Sequence, residues 1–273
     1  MRQSLLAIFF PVLMSSFGCD AASEDPRGTN AQPGQATELT PLDGDGEVDI
    51  DCQIGPAFPD YWAGAIDDPD LITYDNYDES FDAGISDVLI AIADGDGAFP
   101  LQVTDAIVSN FTEREQRIEL LWLVDASGGL LIDAGVLALS AEDVRPGDAV
   151  TLTVLEGELD FNTPTVTDVI DFTINSTGNA VYVVDGASVD VTVGEHLNTN
   201  IRASGELIAS EGSCGGGFSC YTFRFGPGSP ATLRVRDGFG FDVGDCIDLL
   251  APLGQFGGTG QFNIDNNNWV STY

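Results

Sequence analysis

The sequence contains no lysine, a single histidine (His196), and only nine arginines against 44 acidic residues in 273. Each shortage excludes chemistry. Without lysine there is neither a P-loop to grip a nucleotide phosphate nor a Schiff-base nucleophile, and one histidine cannot build the paired-histidine zinc motif of a metalloprotease. His196 sits in Gly194-Glu195-His196-Leu197 between two strand-rich halves and reads as a structural or solvated side chain. Forty-four acids guarantee close carboxylate pairs by chance, and none stands out, so no catalytic residue is assigned and no enzyme is expected. The glycine strings Gly215-Gly216-Gly217 and Gly257-Gly258-Thr259-Gly260 do not lead a strand into a helix, so they read as loop tips and not as a dinucleotide site. The formal net charge of −35 bears on solubility and partner choice, not on fold. Repulsion of that size disfavours nucleic acid as a partner.

Long apolar runs are also scarce. The one at the N-terminus, Leu5 to Met14 behind Arg2, is ten residues long and interrupted by Pro11, a signal-peptide core too short to span a bilayer. It ends in Ser16-Phe17-Gly18-Cys19, which resembles a bacterial lipobox, with Ser16 standing where leucine is commonest. The resemblance implies that Cys19 receives a lipid and tethers the protein to a membrane of the cell envelope, facing the periplasm or the exterior. On this reading residues 1–18 are the leader and 19–47 a flexible, disordered acidic tether.

Within and just beyond that tether, Asp43, Asp45 and Asp49 alternate around Gly44 and Gly46, which resembles a single calcium loop of the thrombospondin type 3 kind. Pro41 fills an earlier ligand position, and the plain alternative is an acidic linker. Calcium is thus the one cofactor contemplated. Residues 48–98 form a loop-rich lead-in expected to pack on the first barrel, through Tyr61 and Trp62. Within it, Ser86 to Ala93 fits either a short helix capped by Ser86 or a strand.

If Cys19 is lipidated, four cysteines remain, an even set suited to two disulfides in an oxidising compartment. Three connectivities exist. The flexible Gly215 to Ser219 segment favours Cys214 with Cys220, which leaves Cys52 with Cys246.

The strongest internal signal is a repeat. Gly147-Asp148 opens a strand with Val150, Leu152 and Val154 inward, and 97 positions later Gly244-Asp245 opens another with Ile247, Leu249 and Ala251 inward. Alternation places five strands in residues 99–186 (Leu101 to Ser109, Arg117 to Val124, Leu130 to Asp133, Ala149 to Leu155, Val166 to Ile174), with an irregular or helical connection from Val136 to Asp143 after the third. In the second strand Ile118, Leu120, Trp122 and Val124 share one face by period two, with Glu119, Leu121 and Leu123 on the other. Residues 187–273 repeat the order without that connection: Thr199 to Ala209, Cys220 to Phe225, Ala231 to Arg236, Cys246 to Ala251, Gln261 to Val270. The expected fold is all-β, with two tandem small five-stranded Greek-key barrels, which remove sheet edges by closing.

The fragments VDASGGLLI, RPGDAVTLTVLEGEL and FDVGDCIDLLAPLGQFGGTGQF resemble the oligonucleotide/oligosaccharide-binding (OB) domains of secreted bacterial nucleases and myxobacterial-type lipoproteins, over about residues 99 to 273. That resemblance implies a binding role, with any nuclease chemistry housed in a separate catalytic domain that this sequence lacks. Strand parity points Arg224, Arg234 and Arg236 away from the second core, on the surface such domains use for ligands. There they would hold an anionic group, or pair internally with Glu206 or Asp248. The sequence therefore supports a lipid-anchored binding or scaffold protein whose partner is a glycan, an anionic small ligand or an envelope protein, with the alternative of an accessory subunit of an extracellular hydrolase or nuclease.

Overall fold

The computed structural model describes residues 52, 66, 68–95, 97–187, 190–191, 193–264 and 269–272. The leader, Cys19, the tether, the Asp43, Asp45 and Asp49 calcium candidates, and Tyr61 and Trp62 lie outside these residues. The chain divides into two compact units, Met1–Gly46 and Glu47–Tyr273, and the description below concerns the second.

The lead-in contributes a short strand, β1 (Ile72–Thr73), and one helix, α1 (Ile85–Asp94). Ser86 does not cap the helix. Gly84, in a left-handed conformation, occupies the cap position, and the buried Asp125 carboxylate accepts the N–H groups of Ala83 and Ile85. Ile85, Val88 and Ile92, spaced by three and four, share one helix face, and they are buried in the core of the first barrel.

The first barrel comprises β2 (Leu101–Arg114), β3 (Arg117–Asp125), β4 (Gly128–Asp133), β5 (Ala149–Asp160) and β6 (Thr163–Ser176). They close in the order β2-β3-β4-β6-β5, antiparallel except for the parallel β4–β6 pair. Two short strands, β7 (Val181–Tyr182) and β8 (Val184–Asp185), and the single-turn α2 (Val193–His196) lead to the second barrel. This comprises β9 (Asn200–Gly215), β10 (Phe218–Phe225), β11 (Ala231–Arg236), β12 (Cys246–Phe256) and β13 (Thr259–Ile264), with β14 (Val270–Thr272) alongside β12. Its pairings run β9-β10-β11-β13-β12 and return to β9, again with one parallel contact, β11–β13. Both barrels are OB-like, and all ten expected strands are present, the last divided into β13 and β14.

The repeat is reproduced bond for bond at its turns. Gly147 N–H donates to Val108 O, Val108 N–H to Asp148 O, and Arg145 N–H to the Asp148 carboxylate. In the second barrel Gly244 N–H donates to Leu207 O, Leu207 N–H to Asp245 O, and Asp242 N–H to the Asp245 carboxylate. The two glycines adopt φ of 90° and 96°, a left-handed conformation that glycine takes without a Cβ clash. Val150, Leu152 and Val154 fill one core and Ile247, Leu249 and Ala251 the other.

The expected parity of β3 fails at one residue. Thr112 pairs with Leu120 and Glu113 with Ile118, so Glu119 is an extra residue and the strand is bulged. Ile118 therefore turns inward with Leu121 and Leu123, while Trp122 and Val124 leave the first core for the apolar cluster of the second barrel. That shared cluster welds the barrels together. The junction also carries fully buried Asn200, whose Nδ2 donates to Ser109 O at 2.8 Å and whose Oδ1 accepts from Asn110 Nδ2 at 3.1 Å. Gly129 lies so close to the connecting segment that an added Cβ would stand 2.3 Å from Asn198 O.

The lead-in touches both barrels. Cys52 is disulfide-bonded to Cys246 at the start of β12, β1 pairs in parallel with β7, and Ile66, Leu71, Ile72, Tyr77 and Phe81 join the second barrel's apolar cluster. Tyr77 is fixed by donating to Ala180 O and accepting from Tyr182 N–H, both at 3.0 Å, and burial pushes its phenol up to about 12.

Candidate functional site

The second and third strands of an OB-like barrel, with the adjoining loops, form its ligand surface. Here the two such surfaces face each other. A cleft of about 800 Å³ lies between them, walled by Leu120, Trp122, Leu131 and Asp133 of β3 and β4 on one side and by Cys220, Thr232 and Arg234 of β10 and β11 on the other. The bulge at Glu119 separates Ile118, which faces the first core, from Trp122, which alternates with Leu121 and Leu123 and faces this space. Trp122 meets Trp269 edge-on at 6.0 Å. Both line the cleft, and the indole N–H of Trp269 has no hydrogen-bond partner among the described residues.

Two equivalent hairpin tips meet at the rim. Phe161, on the turn between β5 and β6, lies 5.4 Å from Phe256, at the end of β12, and the Gln255 side-chain amide donates to the Asn162 carbonyl. The rings are 66% and 56% exposed, and together they form a small apolar patch at the rim. Phe161 and Asn162 both carry left-handed φ values, 47° and 70°, where the second barrel has Gly257 and Gly258. Phenylalanine in that region costs about 1 kcal/mol or more.

The cleft is mixed in charge. Asp133, Asp160 and Glu211 line it, and Arg234 is the only cation among the described residues that do so. The Arg234 guanidinium lies 3.7 Å from the centroid of the Phe218 ring, and its Nη1 donates to Asn263 Oδ1 at 3.1 Å. No carboxylate pairs with it among the described residues. Stacking plus one amide leaves most of the five guanidinium donors for something else.

The other predicted arginines part company. Arg236 lies 5.1 Å from the same Phe218 ring, outside the cleft lining. Arg224 is farther along β10, opposite Glu206 on β9, the internal neighbour that the sequence offered as an alternative. Asp248, the second such alternative, is not on a solvent face. It is fully buried, accepts the Ser204 hydroxyl at 2.7 Å, and burial holds its carboxyl above the ordinary value, partly offset by the Ser204 bond and by Arg202. The reason is the lead-in, which covers this face: Arg202 Nη1, on the neighbouring strand, donates to Tyr74 OH at 3.3 Å.

Cys214 and Cys220 are disulfide-bonded and both line the cleft. Sequence reasoning missed the cleft itself, because it forms only when two barrels are docked. The rim had one sequence signal, the Phe-Asn pair at a hairpin position where the repeat has Gly-Gly.

No protein-family model matches the sequence, and no characterised protein matches it by sequence. Solved structures that align with it include the p204 HINb domain (11% identity, 64% of this chain and 97% of that one, TM-score 0.30) and the tetrameric p202 HIN2 domain (8%, 64% and 92%, 0.31). A murine DNA-binding protein bound with double-stranded DNA aligns likewise (12%, 64% and 95%, 0.32). That protein is bound with DNA, and against it the expectation that nucleic acid is a disfavoured partner is withdrawn. Net charge was the wrong quantity for that inference, since 35 of the 44 acids fall in residues 1–186 while four of the nine arginines fall after 200. A partner meets the local field of one surface, not the sum over the chain.

Proposed function

We propose that the protein is a lipid-anchored, non-catalytic binding module of the cell envelope that receives an oxyanion-bearing ligand in the cleft between its two barrels. One observation carries the reading: two OB-like ligand surfaces are turned on each other around a preorganised guanidinium that no carboxylate of the described residues neutralises. Arginine in such a setting accepts phosphate, sulfate or carboxylate through two parallel N–H bonds. The aromatic residues Trp122, Phe161 and Phe256 line the same cleft and supply flat apolar surface to a ligand held there. The envelope address rests on the leader and Cys19, and the absence of a catalytic role on the residue types available.

The test is a binding screen of the soluble chain, started after Cys19, against single- and double-stranded oligonucleotides and against sulfated and carboxylated oligosaccharides. For whichever probe binds, Arg234→Glu is expected to weaken affinity at least ten-fold while Arg224→Glu leaves it within two-fold. Equal affinity for Arg234→Glu and the parent would overturn the assignment. Labelling cells with a radioactive fatty acid tests the anchor, through incorporation in the parent and its loss in Cys19→Ala.

A further inference from the structure

The two disulfides differ in what they hold. Cys52–Cys246 joins positions 194 apart, whereas Cys214–Cys220 joins positions six apart across the β9–β10 hairpin. A bond that closes so short a loop restrains little of the unfolded chain. Its effect is therefore local, and what lies inside the loop matters.

The enclosed segment is Gly215-Gly216-Gly217-Phe218-Ser219, with all three glycines at positive φ. Three such glycines have no conformational preference strong enough to fix the residue that follows them. That residue is Phe218, 8% exposed, whose ring lies beneath Arg234 at 3.7 Å and beside Arg236 at 5.1 Å. The ladder repeats the relation, with Cys220 opposite Arg234 and Phe218 opposite Arg236. Arg234 Nη2 also reaches the loop itself, 3.4 Å from where a Cβ on Gly216 would stand. Cys214 is exposed and Cys220 buried, and both line the cleft, so a soluble thiol reaches the bond from the Cys214 side.

We infer that the Cys214–Cys220 disulfide is a redox-controlled positioning device: oxidised, it holds Phe218 as the platform that presents Arg234 to the cleft, and reduced, it releases that platform. The step is a two-electron exchange with a dithiol. The protein S–S bond breaks, its sulfurs receive two electrons and two protons as thiols, and the dithiol is oxidised to its own disulfide. Phe218 is a positioning residue in this scheme and Arg234 the ligand contact, so the inference rests on the reading of the cleft given above.

The experiment uses the full soluble chain with Cys52–Cys246 intact. The first readout needs no ligand: the Nε–Hε resonances of Arg234 and Arg236, displaced upfield by the Phe218 ring current in the oxidised parent. Cys214→Ser with Cys220→Ser is expected to return both resonances toward the free-arginine position, and Phe218→Ala to do the same. Phe218→Tyr is expected to retain the displacement, and unchanged Trp122 and Trp269 indole resonances show that the barrels are still docked. Titration with inorganic sulfate, followed on Arg234, is the second readout, with affinity at least five-fold weaker in the serine pair. Unmoved arginine resonances in the serine pair would overturn the inference, as would moved resonances with unaltered sulfate affinity. Arg234→Glu reports separately on the cleft: if sulfate binds it as tightly as the parent, the reading of the cleft fails on its own account.

Discussion

Removing Cys52–Cys246 tests how the lead-in is held and whether chain entropy dominates its contribution. The bond closes a loop of 194 positions between a buried cysteine of the lead-in and the first residue of β12. Loop-closure entropy for that length corresponds to about 5 kcal/mol at 25 °C, against about 2 kcal/mol for the six-position Cys214–Cys220 loop. Replacing Cys52 and Cys246 by alanine should therefore remove a large part of a total that for a domain pair of this size is on the order of 10 kcal/mol. In urea, with a slope of about 3 kcal/mol/M, the midpoint should fall by roughly 1.5 to 2 M, and the Cys214, Cys220 serine pair should shift it by less than half as much. Equilibrium unfolding followed by tryptophan fluorescence measures both. A loss below about 1 kcal/mol for the Cys52, Cys246 pair, or a larger loss for the short loop, would refute the entropic argument and place the stability in contacts that survive without the bond.

Two further perturbations address the buried polar groups and the barrel junction. Asp248 has a folded-state pKa raised above its ordinary 3.8 by burial. The neutral form therefore favours the fold, a contribution fully present below the ordinary value and lost as pH rises through the higher folded one. Asp248→Asn should flatten the stability-against-pH curve from about pH 4 upward and be as stable as the parent or more so at pH 7; a variant with the parent's full pH slope would show that other groups carry it. Gly129→Ala drives a Cβ into Asn198 O, backbone against backbone, and should cost about 1 to 3 kcal/mol in thermal unfolding. Gly254→Ala is the matched control: its nearest neighbour would be Gln261 O at 3.4 Å, and it should cost less than about 0.5 kcal/mol.

How far the fold could be read from sequence depended on whether one strand's own alternation determined the answer. Gly147-Asp148 and Gly244-Asp245 announce themselves because a left-handed glycine, an aspartate capping its own turn and three alternating apolar residues are all local requirements, and they recur together. Residue 119 could not be read, since a bulge depends on the partner strand, and it is this residue that puts Ile118 in the core while Trp122 faces the cleft. The arginines show the same limit. Parity put Arg224, Arg234 and Arg236 on one outer face, but only the docked barrels decide that Arg234 lines a cleft, that Arg236 stays at its edge, and that Arg224 stands opposite Glu206.

The two copies of the repeat differ most where something other than a barrel touches them. In β5, residues 149 to 155 alternate in burial beyond the first pair, and the outward Thr151 stays half-exposed, its hydroxyl accepting from Asp105 N–H and from Asn175. In β12, the same positions are buried on both faces from Ile247 to Leu253, and Asp248 occupies the place of Thr151. The strand is the same element in both; what differs is that the Tyr74 segment of the lead-in lies over the outer face of the second copy. Covering an outward carboxylate costs free energy unless it is neutralised or hydrogen-bonded, and here Ser204 supplies one bond while Asp248 Oδ2 has no partner among the described residues. A disulfide at Cys246, two residues away, is the device that can hold a segment over such a site against that cost. It follows that the Cys52, Cys246 alanine pair and Asp248→Asn should not be additive: once the carboxylate is replaced by an amide, less opposes the lead-in, and loss of the bond should cost measurably less than in the parent.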